Sequence, residues 1–290
     1  MSATEDRKTP SGEPVPLHFP SKDGTNLFAT FHGVADARAN ALIIHGYADH
    51  GGRYRELAEN LNAVGLNALC VDLRGHGRSD GERGLINSFE EYVEDVEAAL
   101  LALQTRGGEK RVLLAAHSNG ALIALRLLAD PFRCPNSIYA AVISSPFLGL
   151  KVKAPAKKAV ARIASRLLPK LTLPNEIKSE HLSHDPEKIR EHEHDTLCHD
   201  VASARWYTEA TTAQLWVEEF APRVAVPTLW VVAGMDQIAD PDQARRVNQR
   251  LTAPTSYHEF PDMHHEVLNE VGRKQIYDLI KSFAVDELSK

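Results

Sequence analysis

The stretch from Arg111 to Arg126, Arg-Val-Leu-Leu-Ala-Ala-His-Ser-Asn-Gly-Ala-Leu-Ile-Ala-Leu-Arg, constrains the fold of this chain more than any other. An apolar run stops at His117-Ser118-Asn119-Gly120, and a helical apolar pattern begins at once. The pattern predicts a buried strand, a tight turn and a helix, with a serine at the apex. Such a turn lifts the Ser118 hydroxyl off the end of a sheet and aims a helix N-terminus, with its partial positive charge, at the same point. A bland reading exists, since serine is a favoured helix N-cap. The rest of the chain decides between the two.

A nucleophile elbow usually reads Gly-x-Ser-x-Gly, because backbone approaches closely on both sides of the serine. Here it reads Ala116-His117-Ser118-Asn119-Gly120, one methyl away from that pattern. A serine hydroxyl needs a base, and the base needs an orienting acid. On this kind of sheet they follow in the order Ser, Asp or Glu, His. The segment from Pro227 to Met235 reads as a second buried strand, and Asp236 stands at its end, where open α/β sheets place functional residues. Asp240 is the competing acid. It precedes Pro241, which suits an N-cap with proline at the first helical position, so Asp236 is assigned to catalysis and Asp240 to structure. Further on, Ser256 to Phe260 alternates like a strand, and a turn leads to His264-His265. Local physics leaves these two histidines equal as the base.

Around these points strand and helix patterns alternate. A hairpin is expected from Val15 to Gly33, turning at Asp23-Gly24, with strands at 40–45, 66–72, 111–116, 138–144, 227–234 and 255–260. Helices are expected at about 53–63, 88–105, 119–129, 241–251 and 270–286. This is an α/β chain with a mostly parallel sheet covered on both faces. At 290 residues and 43% hydrophobic it can bury one large core plus an insertion. The alternation breaks between Phe147 and Val224. That stretch reads helical and is too long for a bare loop, so it is taken as a cap. The expected organisation is core at 1–146, with a loose tail over 1–16, cap at 147–224, and core again at 225–290.

These residues resemble a known family. The motif His45-Gly46-Tyr47-Ala48-Asp49-His50-Gly51-Gly52-Arg53-Tyr54 is similar to His-Gly-x-x-Glu-His-x-x-Arg-Tyr. The stretch from Asp72 to Gly81 is similar to Asp-x-Arg-Gly-His-Gly-x-Ser-x-Gly, and His265 to Glu270 to His-Glu-x-x-Asn-Glu. Together with the elbow and Gly234-Met235-Asp236, these resemble the monoacylglycerol lipase-like, or lysophospholipase-like, serine hydrolases of the α/β-hydrolase superfamily, over about Leu17 to Phe283. Asp49 departs from the family's glutamate, and Ala116 from its glycine.

The resemblance implies an α/β-hydrolase fold with an inserted helical cap and a triad of Ser118, Asp236 and His265. It implies an oxyanion hole from the backbone N–H groups of Tyr47 and Asn119, the residue after the serine. His45, His117, Phe147, Trp206 and Tyr207 are the expected substrate-pocket residues, and His76 a structural one. The implied activity is hydrolysis of monoacylglycerol-type lipid esters without cofactor. The neighbouring readings are a lysophospholipase, a short-chain carboxylesterase, or a ligand-binding protein on the same fold. Dehalogenases and epoxide hydrolases of this fold need an aspartate at position 118.

Composition narrows the partners. A net charge of −6 gives no general pull toward nucleic acid. Cys70, Cys134 and Cys198 have neither disulfide-framework nor zinc spacing, which suits a reducing compartment. The polar stretch from Met1 to Pro16 lacks the apolar region of a secretory signal, so a cytoplasmic location is expected. His181, His184, His192, His194 and His199 cluster in the cap, but their spacing fits no common zinc site, and no metal is expected. From Lys151 to Lys170 there are seven cations and no acid. Val160, Ile163, Ala164, Leu167 and Leu168 would share a helix face, with Lys157, Lys158, Arg162 and Arg166 elsewhere. The expectation is an apolar face roofing the pocket and a solvated basic face, compatible with peripheral contact to a membrane.

Overall fold

A computed structural model describes residues 12–151, 163–175 and 177–290. Its strands are β1 (Val15–Pro20), β2 (Asn26–His32), β3 (Ala39–Ile44), β4 (Leu66–Asp72), β5 (Val112–His117), β6 (Ile138–Ser144), β7 (Thr172–Pro174), β8 (Val201–Ser203), β9 (Thr228–Ala233) and β10 (Thr255–Phe260). Its helices of eight residues or more are α1 (Arg55–Asn62), α2 (Glu90–Gly107), α3 (Asn119–Leu128), α4 (Pro186–His194), α5 (Ala204–Phe220), α6 (Pro241–Asn248) and α7 (Arg273–Leu288). Eight strands form one sheet in the order β1-β2-β4-β3-β5-β6-β9-β10. The pairings β1–β2 and β2–β4 are antiparallel, and the other five are parallel.

The central strands carry apolar residues on both faces because both are covered. Leu42 and Ile44 of β3, Leu69 and Val71 of β4, and Leu114 and Ala116 of β5 pack with α2 and α3. Their alternate neighbours, Ala41 and Ile43, Ala68 and Cys70, Leu113 and Ala115, pack with α1 and α7 on the other face. The period of two thus divides each strand between two cores. The hairpin turns at Ser21–Thr25, where Gly24 takes a φ of +88°. Val15 and Pro16 belong to β1, so the expected tail ends earlier than residue 16; residues 1–11 lie outside the described residues.

Between β6 and β9 the chain leaves the sheet. The stretch expected to be wholly helical also contains β7 and β8, paired antiparallel to each other. Three-residue strands are too short for periodicity to reveal. Val160, Lys157, Lys158 and Arg162 lie outside the described residues. The described end of the segment, a helical turn at 163–167, departs from the expected roofing role. Ile163 is 62% exposed, Leu167 74% and Leu168 57%, so these three side chains face outward rather than onto a pocket.

Candidate active site

Ser118 stands between β5 and α3 with φ +54° and ψ −117°, a conformation that L-residues avoid and that only a tightly held turn sustains. The holding contacts are local. The Ser118 N–H donates to the Ser144 carbonyl at 2.9 Å, and the Ser118 carbonyl accepts from Phe147 at 3.0 Å and Leu122 at 3.1 Å. Gly120 is obligatory in this geometry. A Cβ there would lie 2.4 Å from the His45 carbonyl oxygen and 2.6 Å from that of Ile44. The methyl of Ala116, by contrast, is absorbed into the α2–α3 core, which is why the departure from Gly-x-Ser-x-Gly falls on that side.

Three side chains from distant parts of the chain meet here. The Ser118 Oγ lies 2.8 Å from His265 Nε2, and His265 Nδ1 lies 2.6 Å from Asp236 Oδ2. All three are buried. Asp236 follows β9, and its other oxygen accepts the N–H groups of Ile238 and Ala239 at 2.8 and 2.9 Å. One carboxylate oxygen is therefore committed to its own loop, and the other is left for the histidine. Burial works against the imidazolium of His265, but the charge and hydrogen bond of Asp236, with Glu266 and Asp49 behind, hold its pKa above the ordinary histidine value.

The competing residues stand elsewhere. Asp240 caps α6 by accepting the Asp242 N–H at 3.1 Å, with Pro241 at the first helical position. His264 turns away from Ser118 and stacks on His184 with ring centroids 3.8 Å apart.

The two expected oxyanion donors flank the nucleophile. Gly46 brings its loop so close that a Cβ would sit 3.2 Å from Ser118 Cβ. The hydrogen bonds of the described residues include none from the N–H of Tyr47 or of Asn119, which leaves both free for a ligand oxygen. The Asn119 side chain is also buried with neither polar atom partnered.

The expected pocket residues divide. His45 donates from Nδ1 to the Gly46 carbonyl at 2.6 Å and accepts the Leu73 N–H on Nε2 at 3.0 Å. Both ring nitrogens are spent on backbone, so His45 braces the loop of Gly46 and Tyr47. His117 pairs with Ser144 Oγ at 3.1 Å, its ring 4.8 Å from that of His265; burial first, then the neighbouring His265, push its pKa down to about 3. Trp206 stacks on the Tyr47 ring at 3.7 Å and faces Phe147 at 6.0 Å. Tyr47 donates its hydroxyl to the Val201 carbonyl at 2.8 Å. The loop of Gly46 and Tyr47 is thereby fastened to the segment between β6 and β9. Tyr207 is half-buried against the same core. His76 is fully buried, with Nδ1 on the Arg74 carbonyl at 2.9 Å and the ring 4.9 Å from His199.

Sequence reasoning assigned no role to Glu266. Its carboxylate meets Arg53 through two hydrogen bonds of 2.7 Å. Asp49 lies 3.2 Å from the same guanidinium and accepts the Tyr54 hydroxyl at 2.9 Å. Burial would raise the Glu266 and Asp49 carboxyls, but Arg53 holds both below the usual range. The signal was present in the two motifs, which share this pair between them. The shorter Asp49 still reaches the arginine.

A mostly parallel sheet that raises a serine on a strand-to-helix turn, with a histidine and an aspartate from later strand ends in reach, is the architecture of an α/β hydrolase. The sequence matches the family model described as Hydrolase_4, serine aminopeptidase S33, over residues 35–272. It is 29% identical over 248 residues to the phospholipase YtpA of Bacillus subtilis, covering 83% of this chain and 93% of the relative. It is 31% identical over 208 residues to a monoglyceride lipase homolog of monkeypox virus, covering 70% and 72%. Among solved structures, the monoacylglycerol lipase of Paleococcus ferrophilus superposes with a TM-score of 0.79 at 26% identity, covering 95% of this chain and all of that one. The chain belongs to this family, the α/β hydrolases of the monoacylglycerol lipase type.

Proposed function

We propose that this protein is a serine carboxylic-ester hydrolase acting on monoacylglycerol-type lipid esters. The observation that carries this reading is the continuous relay from Ser118 Oγ through His265 to Asp236, with two unpaired N–H groups beside it. His265 takes the Ser118 proton as Oγ attacks the ester carbonyl, and Asp236 stabilises the imidazolium. Negative charge developing on the carbonyl oxygen is met by the N–H groups of Tyr47 and Asn119, at the positive end of α3. The C–O bond to the alcohol breaks, and the alcohol leaves with the proton from His265. Water then gives a proton to His265 as it attacks the acyl carbonyl, the bond from that carbon to Ser118 Oγ breaks, and His265 returns the proton to Oγ as the fatty acid leaves.

Residues 147–224 are read as the cap that covers this site, with Phe147, Trp206 and Tyr207 against the acyl chain. The outward apolar face of Ile163, Leu167 and Leu168, continued by Leu171 and Leu173 and flanked by Arg166 and Lys170, suits contact with a lipid surface. No helix among the described residues is long and apolar enough to cross a membrane. Contact through this face would be peripheral, and the reading places the protein in the cytoplasm, where its three free cysteines stay reduced.

The test is a substrate panel of monoacylglycerols, lysophospholipids, short-chain p-nitrophenyl esters and aminoacyl p-nitroanilides, with fluorophosphonate labelling in parallel. Monoacylglycerol should give the highest kcat/KM, and intact mass should show one adduct that Ser118→Ala abolishes. Preference for the lysophospholipid or the anilide would replace the substrate assignment. Absence of an adduct would favour a ligand-binding protein.

A further inference from the structure

Where the segment after β7 crosses the loop that carries His265, three metal-ligating side chains converge that ester hydrolysis does not use. The two segments are joined along a seam. The N–H groups of His265 and Glu266 donate to the carbonyls of His181 and Leu182 at 3.4 and 2.8 Å, and Ser183 Oγ donates to the Asn269 carbonyl at 3.0 Å. On that seam His184 Nδ1 lies 2.7 Å from Glu270 Oε1, and the His184 ring stacks on His264. One ligand atom from each of His184, His264 and Glu270 lies within 4.8 Å of the other two.

Two features mark this cluster out from a chance meeting of polar groups. His264 is only 8% exposed, yet its Nδ1 has no hydrogen-bond partner among the described residues. Glu270 is 1% exposed, and no lysine or arginine among the described residues pairs with its carboxylate; its side-chain partners are His184 and the N–H groups of His264 and Val271. The nearby Arg273 guanidinium is turned instead to Glu56 and Asp185. A buried carboxylate that meets a half-exposed imidazole but no lysine or arginine, beside a buried imidazole with one unpartnered nitrogen, is an arrangement that a metal cation would complete.

We propose that His184, His264 and Glu270 form a binding site for a divalent transition-metal ion, Zn²⁺ by ligand chemistry, that ties the cap to the loop of the catalytic histidine. Two imidazoles and one carboxylate suit zinc, whereas calcium and magnesium favour all-oxygen sets. Ligand bonds of about 2.0–2.2 Å put tetrahedral ligands about 3.3–3.5 Å apart, so the 2.7 Å contact of His184 with Glu270 must open to admit the ion. His184, whose side chain is 45% exposed, has room to turn and make that adjustment. Eighty residues separate His184 from His264, which is why spacing along the sequence did not reveal the set.

The experiment is calorimetric titration of Zn²⁺ into tag-free, chelator-stripped protein, with Co²⁺ absorption reporting coordination geometry. One ion should bind per chain, and Zn²⁺ should raise Tm. His184→Ala and His264→Gln should each weaken binding by about 100-fold or more, beyond the range for loss of an outer hydrogen-bond partner. His184 is exposed, so its variant should keep the native circular dichroism spectrum and leave ester turnover in metal-free buffer unchanged. Failure of the stripped protein to bind, or binding by both variants as tightly as by the native chain, would overturn the site. So would binding lost in Cys198→Ser but kept in His184→Ala, because it would move the ion to the separate group of His50, Asp195 and Cys198.

Discussion

Arg53 and Glu266 meet fork to fork, through two 2.7 Å hydrogen bonds, and so join the segment after the Gly46 and Tyr47 loop to the residue next to His265. Each motif of the sequence contributes one partner. The pair is buried, with Asp49 as a third charge. Removing the arginine alone leaves two carboxylates in a dry site. Arg53→Met should therefore destabilise the fold by about 3–5 kcal/mol. Arg53→Met combined with Glu266→Leu should cost less than the two single changes added together. Urea denaturation midpoints of the four proteins check this.

Neighbouring candidates should separate sharply. His265→Ala and Asp236→Asn should each lower kcat by about 10³-fold or more, because one removes the base and the other the group that orients it. His264→Ala and Asp240→Asn should keep most of the turnover. Asp240→Asn retains a capping side chain and should change stability by less than about 1 kcal/mol. Turnover of a soluble p-nitrophenyl ester compares all four, and a sensitive His264 would reassign the base.

The pH profile follows from the shift at His265. Only the neutral imidazole can accept the Ser118 proton. Its raised pKa means that kcat/KM should fall, as pH drops, with a midpoint above that of an ordinary histidine. Asp236→Asn should move this midpoint down. The linked stability has the opposite bias. A histidine whose folded pKa exceeds its unfolded value contributes stability that is fully present below the unfolded pKa and is lost as pH rises through the folded one. Denaturation midpoints measured on either side of neutrality should show this term, and Asp236→Asn should diminish it.

The elbow should tolerate change on one side only. Ala116→Gly removes a methyl from a packed strand and should cost about 1 kcal/mol with activity retained. Gly120→Ala forces a methyl to within 2.4 Å of backbone and should abolish fluorophosphonate labelling or folding. Labelling rates and thermal melts of the two variants distinguish the sides.

The outward cap face sets an expectation for aggregated substrate. Serine at Ile163, Leu167 and Leu168 should weaken sedimentation with anionic vesicles and slow hydrolysis of dispersed monoacylglycerol, while a soluble short-chain ester is turned over as before. Added salt should mimic part of the loss through Arg166 and Lys170. Equal effects on both substrates would make the face part of the pocket roof.

What the sequence determined by itself is whatever depends on near neighbours. Short apolar runs marked β3 to β6 and β9, alternation marked β10, the apolar run that breaks at Ser118 marked the elbow, and Asp240-Pro241 marked the cap of α6. These are short-range effects of side-chain spacing and backbone sterics. The choice of His265 over His264 came from resemblance, and in the fold it is a matter of which ring β10 and its turn deliver to Ser118. Only the tertiary structure decided the pairing of β7 with β8, the burial of Glu266 against Arg53, the outward turn of Leu167, and the meeting of His184 with His264 and Glu270. Each of these joins or exposes groups far apart along the chain, and such contacts are set by how whole elements pack, which local spacing does not encode.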